Sequence, residues 1–286
     1  MITAYTFLDV EHPVVAWGTY RGVLVSANAE HQPPQCPVSM MFAGIILHQN
    51  NVRLHNELLI EMRRQIKHPH CVSRLAGMYF FDDPQQAQNA EEWGGHFKAQ
   101  NLAEVELYPT TGLSRHDANW ITYAPLDSQG RICDSGWIDD YWQGAAFPGN
   151  KPVWELIANG RAVICGTEIR EKAYSILASV LPDCLSILEV ARIAAHVGSD
   201  LGQTTAWITN TEEKLSLSFM LDMRDAENPT FLERLQQYKG PRNYEDLKIG
   251  GDYFRTPDFT EYSCQFRSET LASNKFLYSI HRNEKT

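Results

Sequence analysis

Nowhere in the chain is there an unbroken apolar run approaching the roughly 18 residues of a membrane-crossing helix, so no membrane role is expected. A basic, apolar-cored leader is missing as well. The chain starts MITAYTFLDVEH, and export is not expected. Cysteine is sparse, at positions 36, 71, 133, 165, 184 and 264, with no CxxC pair. That scatter argues against a disulfide framework or a zinc site, and for reduced thiols in a cytoplasmic setting. Basic residues are outnumbered, 25 Lys and Arg against 35 Asp and Glu, for a formal net charge of -10. Such a surface repels a phosphate backbone at long range while leaving room for a local basic groove. It suits a small-molecule enzyme or a protein with a basic partner.

Also missing are internal repeats, low-complexity tracts, a long Gly/Ser linker, and the GxxxxGK(S/T), HExxH, GxSxG and GxGxxG motifs. The ten histidines include His68 and His70, which flank Pro69 in a turn-like KHPHC. No pair stands at ligand spacing beside a carboxylate on an expected helix, so no metal is expected. What is there is 286 residues with 43% hydrophobic and 21% charged side chains, an ordinary globular composition.

HPVVAWGTYRGVLVSAN, rich in β-branched and aromatic residues, predicts one or two strands joined by a bend. In NNVRLHNELLIEMRRQIKH, Leu54, Leu58, Met62 and Ile66 recur every four residues behind an Asn cap, predicting an amphipathic helix. GMYFF and AEVELYP read as short strands around a DDPQQAQNAEEW helix with Pro84 in its first turn. From Pro109 to about Asn150 the chain is polar and turn-rich, with Asp117, Trp120, Tyr141 and Trp142 in what reads as a long functional loop. Those aromatics serve either loop packing or a target-facing surface. KPVWELIANGRAVICG predicts a short helix, a glycine stop and a buried strand. PDCLSILEVARIAAHVG predicts a helix capped by Asp183 and stopped by Gly198, with Ser186, Glu189, Arg192 and His196 along a polar stripe. TAWITNTEEKLSLSFML predicts two strands about a polar turn. A soft boundary is expected near Ser179, dividing a domain of residues 1–178 from a C-terminal extension of residues 179–286.

Chemistry-bearing residues form a scattered set: Gly18-Thr19-Tyr20-Arg21, Ser73-Arg74, Tyr79 and, much later, Glu155. Singly, each has an ordinary explanation: a glycine easing a bend, an aromatic in a core, arginines in ion pairs, a solvated glutamate. Their order resembles the ADP-ribosyltransferase superfamily, the diphtheria- and cholera-toxin-like enzymes that split NAD. AWGTYRG resembles the family's two early signatures merged, and GMYFFDDPQQAQNA its second motif. DDYWQGAAFPGNKPVWELIANGRAVICG is similar to the third region of bacterial members. The resemblance covers roughly the first two thirds of the chain. It implies an α+β fold: an ADP-ribosyltransferase-like split β-sheet core with flanking helices and the C-terminal extension.

What the resemblance implies for chemistry follows from the bond to be broken. Cleaving nicotinamide from ribose builds positive charge on the sugar, which a carboxylate stabilises. Glu155 is the expected catalytic residue, with Glu106 of the Glu104-Val-Glu106 pair as the alternative. Trp17, Gly18, Thr19, Arg21, Ser73, Arg74 and Tyr79 are the expected NAD-binding residues. Gly18 would offer bare backbone, Tyr79 a ring, and Arg21 or Arg74 a fork for the pyrophosphate. Trp17 stands where one branch of the family has histidine. The implied activity is NAD-dependent mono-ADP-ribosyl transfer to a nucleic acid (single-stranded DNA or mRNA) or a protein. The implied setting is an intracellular bacterial toxin of a toxin–antitoxin or phage-defence system, restrained by an antitoxin or inhibitor. NAD would be a substrate and no metal is implied. The alternatives are an NAD glycohydrolase and a catalytically inactive binding module.

Overall fold

The structure, a computed structural model, describes residues 1–27, 35–211, 214–241 and 255–281. Among them the fold is mixed helix and sheet, of the α+β type. The first sheet takes β1 (Ile2–Phe7), β2 (Val23–Val25), β4 (Met78–Phe81), β5 (Leu102–Asp117) and β6 (Trp154–Ile164). The second takes β3 (Gln35–Val38), β7 (Thr204–Thr211), β8 (Lys214–Leu221) and β9 (Cys264–Phe266). Every strand pairing is antiparallel. In the first sheet β1 bridges β4 and β5 while β6 also pairs with both, so these four strands close a ring.

The helices are α1 (Pro13–Arg21), α2 (Met40–Leu47), α3 (Asn51–Lys67), α4 (Pro84–Ala90), α5 (Asn119–Thr122) and α6 (Trp137–Trp142), then α7 (Thr167–Val180), α8 (Leu185–His196), α9 (Pro229–Gln237), α10 (Glu269–Ala272) and α11 (Asn274–Ser279). Among the described residues no helix is long and apolar enough to cross a membrane. One hydrophobic core joins Ala4, Trp17, Phe80 and Leu156 to Leu177, Leu188, Ile193 and Phe231, and so draws on both sides of position 178. Parts of the expected extension, positions 242–254 and 282–286, lie outside the described residues, as does Glu212-Glu213 in the turn expected between β7 and β8.

Several local expectations match the fold for the reasons given. Asn50 accepts from Arg53 N to cap α3, and Asp83 accepts from Gln86 N to cap α4, where Pro84 opens the helix. β7 and β8 pair along their whole length.

Four expectations are corrected. PVVAWGTYR is the helix α1, opened by Pro13 and closed by Gly22 in the left-handed region at φ 89. It is buried on nearly every side, which erases the polar stripe by which a helix is recognised and leaves only its β-branched content to mislead. The stretch after Pro109 is not wholly a loop: β5 runs 16 residues to Asp117, with a bulge between Pro109 and Gly112. KPVWELIANG holds no helix, because β6 runs unbroken from Trp154 and pairs with β5 along its length. Its Gly160 is no stop; a Cβ there would collide with the Tyr108 carbonyl oxygen. Finally, Asp183 makes no cap to α8 and pairs instead with Arg255, while Glu189 of the expected polar stripe is buried under Tyr20 and Arg192.

Candidate functional site

Antiparallel register builds the site. Tyr79 of β4 faces Ile157 of β6, and Phe81 faces Glu155. Since side chains alternate, Tyr79, Phe81, Glu155 and Ile157 share one face of the sheet. Phe80, Leu156 and Ala158 point to the other face, into the large core. On the opposite edge of β6, His116 of β5 stands directly across from Glu155.

The segment between α3 and β4 delivers the cation. Ser73 folds it: its hydroxyl accepts from Leu75 N at 3.1 Å and donates to Glu61 Oε2 at 2.8 Å, and its carbonyl accepts from Gly77 N at 2.8 Å. Gly77 is required there, because a Cβ would lie 2.5 Å from Ile157 Cγ2 and 2.8 Å from Val72 Cγ1. Arg74 is thereby turned inward over the sheet. Its Nε and Nη2 donate to the two oxygens of Glu57 at 2.9 and 3.1 Å, a two-pronged pair. Its Nη1 donates to Glu155 Oε1 at 3.0 Å and to the Tyr141 hydroxyl at 2.7 Å. The guanidinium lies 5.2 Å from the centre of the Tyr79 ring and 5.6 Å from that of Tyr141. Tyr79 anchors the turn by donating its hydroxyl to the Arg74 carbonyl at 2.7 Å.

Glu155 is held by one oxygen. Tyr141, buried on α6, donates to Oε1 at 2.7 Å beside the Arg74 bond, whereas Oε2 has no hydrogen bond from any described residue. Burial pushes the Glu155 carboxyl upward, against the opposing pull of Arg74 and the Tyr141 hydroxyl. Burial also works against the Arg74 charge, but Glu57, Tyr141, Tyr79 and Glu155 together hold it well above the ordinary arginine value. Burial raises Tyr79 and Tyr141 far enough that both act as hydroxyl donors and not as bases.

Glu57 and His116 carry no site signal in the sequence, and Tyr141 is expected there only as loop packing or a target-facing aromatic. The His116 ring lies against Tyr141, 4.6 Å between centres, and its Nδ1 is 2.8 Å from the Tyr141 carbonyl oxygen. That contact requires Nδ1 to carry the hydrogen, leaving Nε2 as a bare lone pair, buried and unpartnered among the described residues. Burial lowers this histidine to about 4, so it is neutral at physiological pH. On α3, Glu57, Glu61 and Arg64 form a buried charged stripe, Arg64 forking onto Glu61 and donating to the Ser279 carbonyl near the far end of the chain. The only available signal was their spacing of four and three, which on a helix of mixed composition reads as a solvated face.

Of the expected site residues, Ser73, Arg74, Tyr79 and Glu155 come together. Trp17, Gly18, Thr19 and Arg21 do not join them. They sit on α1, against the core on the other face of the sheet. Trp17 Nε1 donates to the Gly202 carbonyl at 2.8 Å and Thr19 to its own helix at Val15. Arg21 spends its guanidinium on the carbonyls of Ser199, Leu201 and Val23, and burial lowers it to about 10. A Cβ on Gly18 would find only the Thr204 hydroxyl at 3.7 Å and Leu24 at 4.0 Å, so no close backbone approach requires glycine there. Glu106 accepts from Tyr108 at 2.8 Å and stands opposite Val163, eight residues along β6 from Glu155. That is roughly 26 Å at the rise of a strand.

Beside the cluster lies a groove of about 340 Å³ between α3 and the segment 121–137. Glu57 belongs to both, and Arg53, Ile60, Leu126, Ile132 and Trp137 contribute to the walls. Among the described residues no group of three or more His, Cys, Asp or Glu side chains is arranged to hold a metal ion. No protein-family model matches the chain, and no curated protein matches it significantly.

Proposed function

We propose that the protein is an NAD-dependent mono-ADP-ribosyltransferase with a split-sheet core of that family, acting as an intracellular bacterial toxin in a toxin–antitoxin or phage-defence setting. The observation that carries this reading is the carboxylate of Glu155, fixed through Oε1 by Arg74 and Tyr141 and without a hydrogen-bond partner at Oε2 among the described residues, two strand positions from the Tyr79 ring. Glycosyl transfer from a nucleotide asks for such a group. One oxygen is oriented by the protein, and the other is free to accept a sugar hydroxyl and to face the positive charge that develops as nicotinamide leaves. Arg74, committed to Glu57, Tyr141 and Glu155, orients this carboxylate rather than clamping a pyrophosphate. Glu155 is preferred to Glu106, whose hydrogen bond is made on the surface of the neighbouring strand β5, opposite the far end of β6.

A second reading, an inactive fold used as a binding module, draws on the commitment of Trp17 and Arg21 to main-chain carbonyls. Incubation with NAD labelled in its adenylate half, together with separate RNA, single-stranded DNA and protein pools, separates the readings. Transfer predicts label in one pool and nicotinamide release that falls at least about 100-fold in Glu155→Gln. Release without label indicates an NAD glycohydrolase. No release, with no rise in melting temperature at millimolar NAD, defeats the enzymatic reading.

A further inference from the structure

We propose that the groove between α3 and the 121–137 segment is a nucleotide subsite, taking an amino-bearing base against Trp137 with its amino group on Glu57 and its phosphate on Arg53. This names a substrate site for the reaction above and rests on that reading for its purpose, though not for its test.

The groove is built and not a chance crease. Asn56 of α3 clasps the opposing hairpin from both ends of its carboxamide: Nδ2 donates to the Gly130 carbonyl at 2.9 Å, and Oδ1 accepts from Ile132 N at 3.1 Å. Asp127 Oδ1 closes the tip by accepting from Gln129 N and Arg131 N, and Leu126 bridges Ile132 across it. The volume of about 340 Å³ is at the small end of ligand pockets, which run from roughly 300 to 1,000 Å³.

Its chemistry selects the ligand. Ile60, Ile121, Ile132 and the Trp137 indole supply apolar walls suited to a flat ring. Trp137 Nε1 is buried with no acceptor among the described residues, a donor that a ligand oxygen brought against the indole satisfies. Each Glu57 oxygen accepts one bond from Arg74 and retains a lone pair for an exocyclic amine. Arg53 is exposed and, among the described residues, makes no ion pair or side-chain hydrogen bond. An unengaged guanidinium at the edge of an apolar slot is complementary to a phosphate. Its charge also reaches Tyr79, where it opposes the effect of burial.

Calorimetric titration of the whole protein with AMP, adenosine and purine riboside monophosphate, which lacks the amino group, tests the site. AMP is expected to bind at least tenfold tighter than either. Arg53→Gln is expected to weaken AMP to the level of adenosine while leaving adenosine unchanged. Ala124→Trp, a plug placed at a half-exposed position in the lining, is expected to remove binding of all three. Equal affinity for AMP and adenosine, wild-type binding in Ala124→Trp, or no heat at millimolar AMP each overturns the proposal.

Competition identifies the source of the nucleotide. Displacement of AMP by NAD assigns the groove to a half of that substrate, and displacement by a single-stranded oligonucleotide assigns it to the acceptor. Displacement by neither overturns the assignment. The two readings fail separately. If AMP binds as stated and NAD yields no nicotinamide, the groove stands and the transfer reaction falls. If nicotinamide is released with unchanged KM for NAD and acceptor in both variants, the groove falls and the reaction stands.

Discussion

Arg74 and Glu155, eighty-one positions apart in the chain, meet at 3.0 Å with almost no solvent between them. Two carboxylates and a hydroxyl converge on this one guanidinium, so its removal strands two buried negative groups. Arg74→Ala is expected to cost about 3–5 kcal/mol, as for a buried ion pair broken on one side. The urea midpoint measures it. Replacing Glu57 and Glu155 by Gln in the same chain is expected to restore most of the loss, because no uncompensated charge is then buried. A loss under about 1 kcal/mol in Arg74→Ala would mean that the network contributes little to stability.

Tyr141 adds a pH signature. Its hydroxyl bond to Glu155 favours the ionised carboxylate, so Tyr141→Phe is expected to lift this carboxyl further above its ordinary range. The sign follows from linkage. A folded-state pKa above the unfolded value contributes stability below the unfolded pKa, about 4.3 for Glu, and loses it as pH rises through the folded one. The variant should therefore be nearly as stable as wild type at pH 4.5 and about 2 kcal/mol less stable at pH 7.5, where a hydrogen bond to a charged group is missing. Nicotinamide release should show its acid limb moved to higher pH. Urea curves at the two pH values provide the check, and an equal gap at both contradicts the assignment.

How much of this was legible in the chain depends on where the signal lies. The helix α4 is readable because Asp83 and Pro84 act locally, as cap and first-turn residue. α3 is readable from period, yet Ile66, placed on the same apolar stripe, is 77% exposed, and the buried positions include Glu57, Glu61 and Arg64. A charge on a helix declares its partner only when another element is folded over it. Arg74 and Ser73 arrive from a turn held by Gly77, which no helical or strand period encodes. Tyr79 and Glu155 were paired by resemblance in the order of motifs, while their meeting follows from the β4–β6 register. His116 had no signal, since its importance is the residue across the strand and that strand's extension past a bulge was unforeseen.

His116 sets an acid limit on stability. Burial lowers it to about 4, so the neutral ring stabilises the fold above the unfolded value, about 6.5, and that contribution is lost as pH falls through 4. Over this window the fold should lose about 3 kcal/mol attributable to this group. In His116→Gln the melting temperature should fall less steeply between pH 6.5 and 4. Parallel profiles for the two proteins would remove His116 from the explanation.

Asn56 holds the outer wall of the groove to α3, and its loss should be felt there before it is felt globally. Asn56→Ala removes two hydrogen bonds, at 2.9 and 3.1 Å, for about 1–2 kcal/mol of stability. The hairpin tip is exposed and includes Arg131, a tryptic site whose backbone N–H is already committed to Asp127. Freed from the clasp, that tip should open more often than the whole molecule unfolds, and cleavage of an opened segment tracks the population of the open form. Limited trypsin digestion, followed by mass spectrometry of the first fragments, should therefore show faster cutting after Arg131 at a temperature where the rest of the chain stays intact. If the first cuts fall elsewhere and at the wild-type rate, the hairpin is held by its apolar contacts with α3 and not by this side chain.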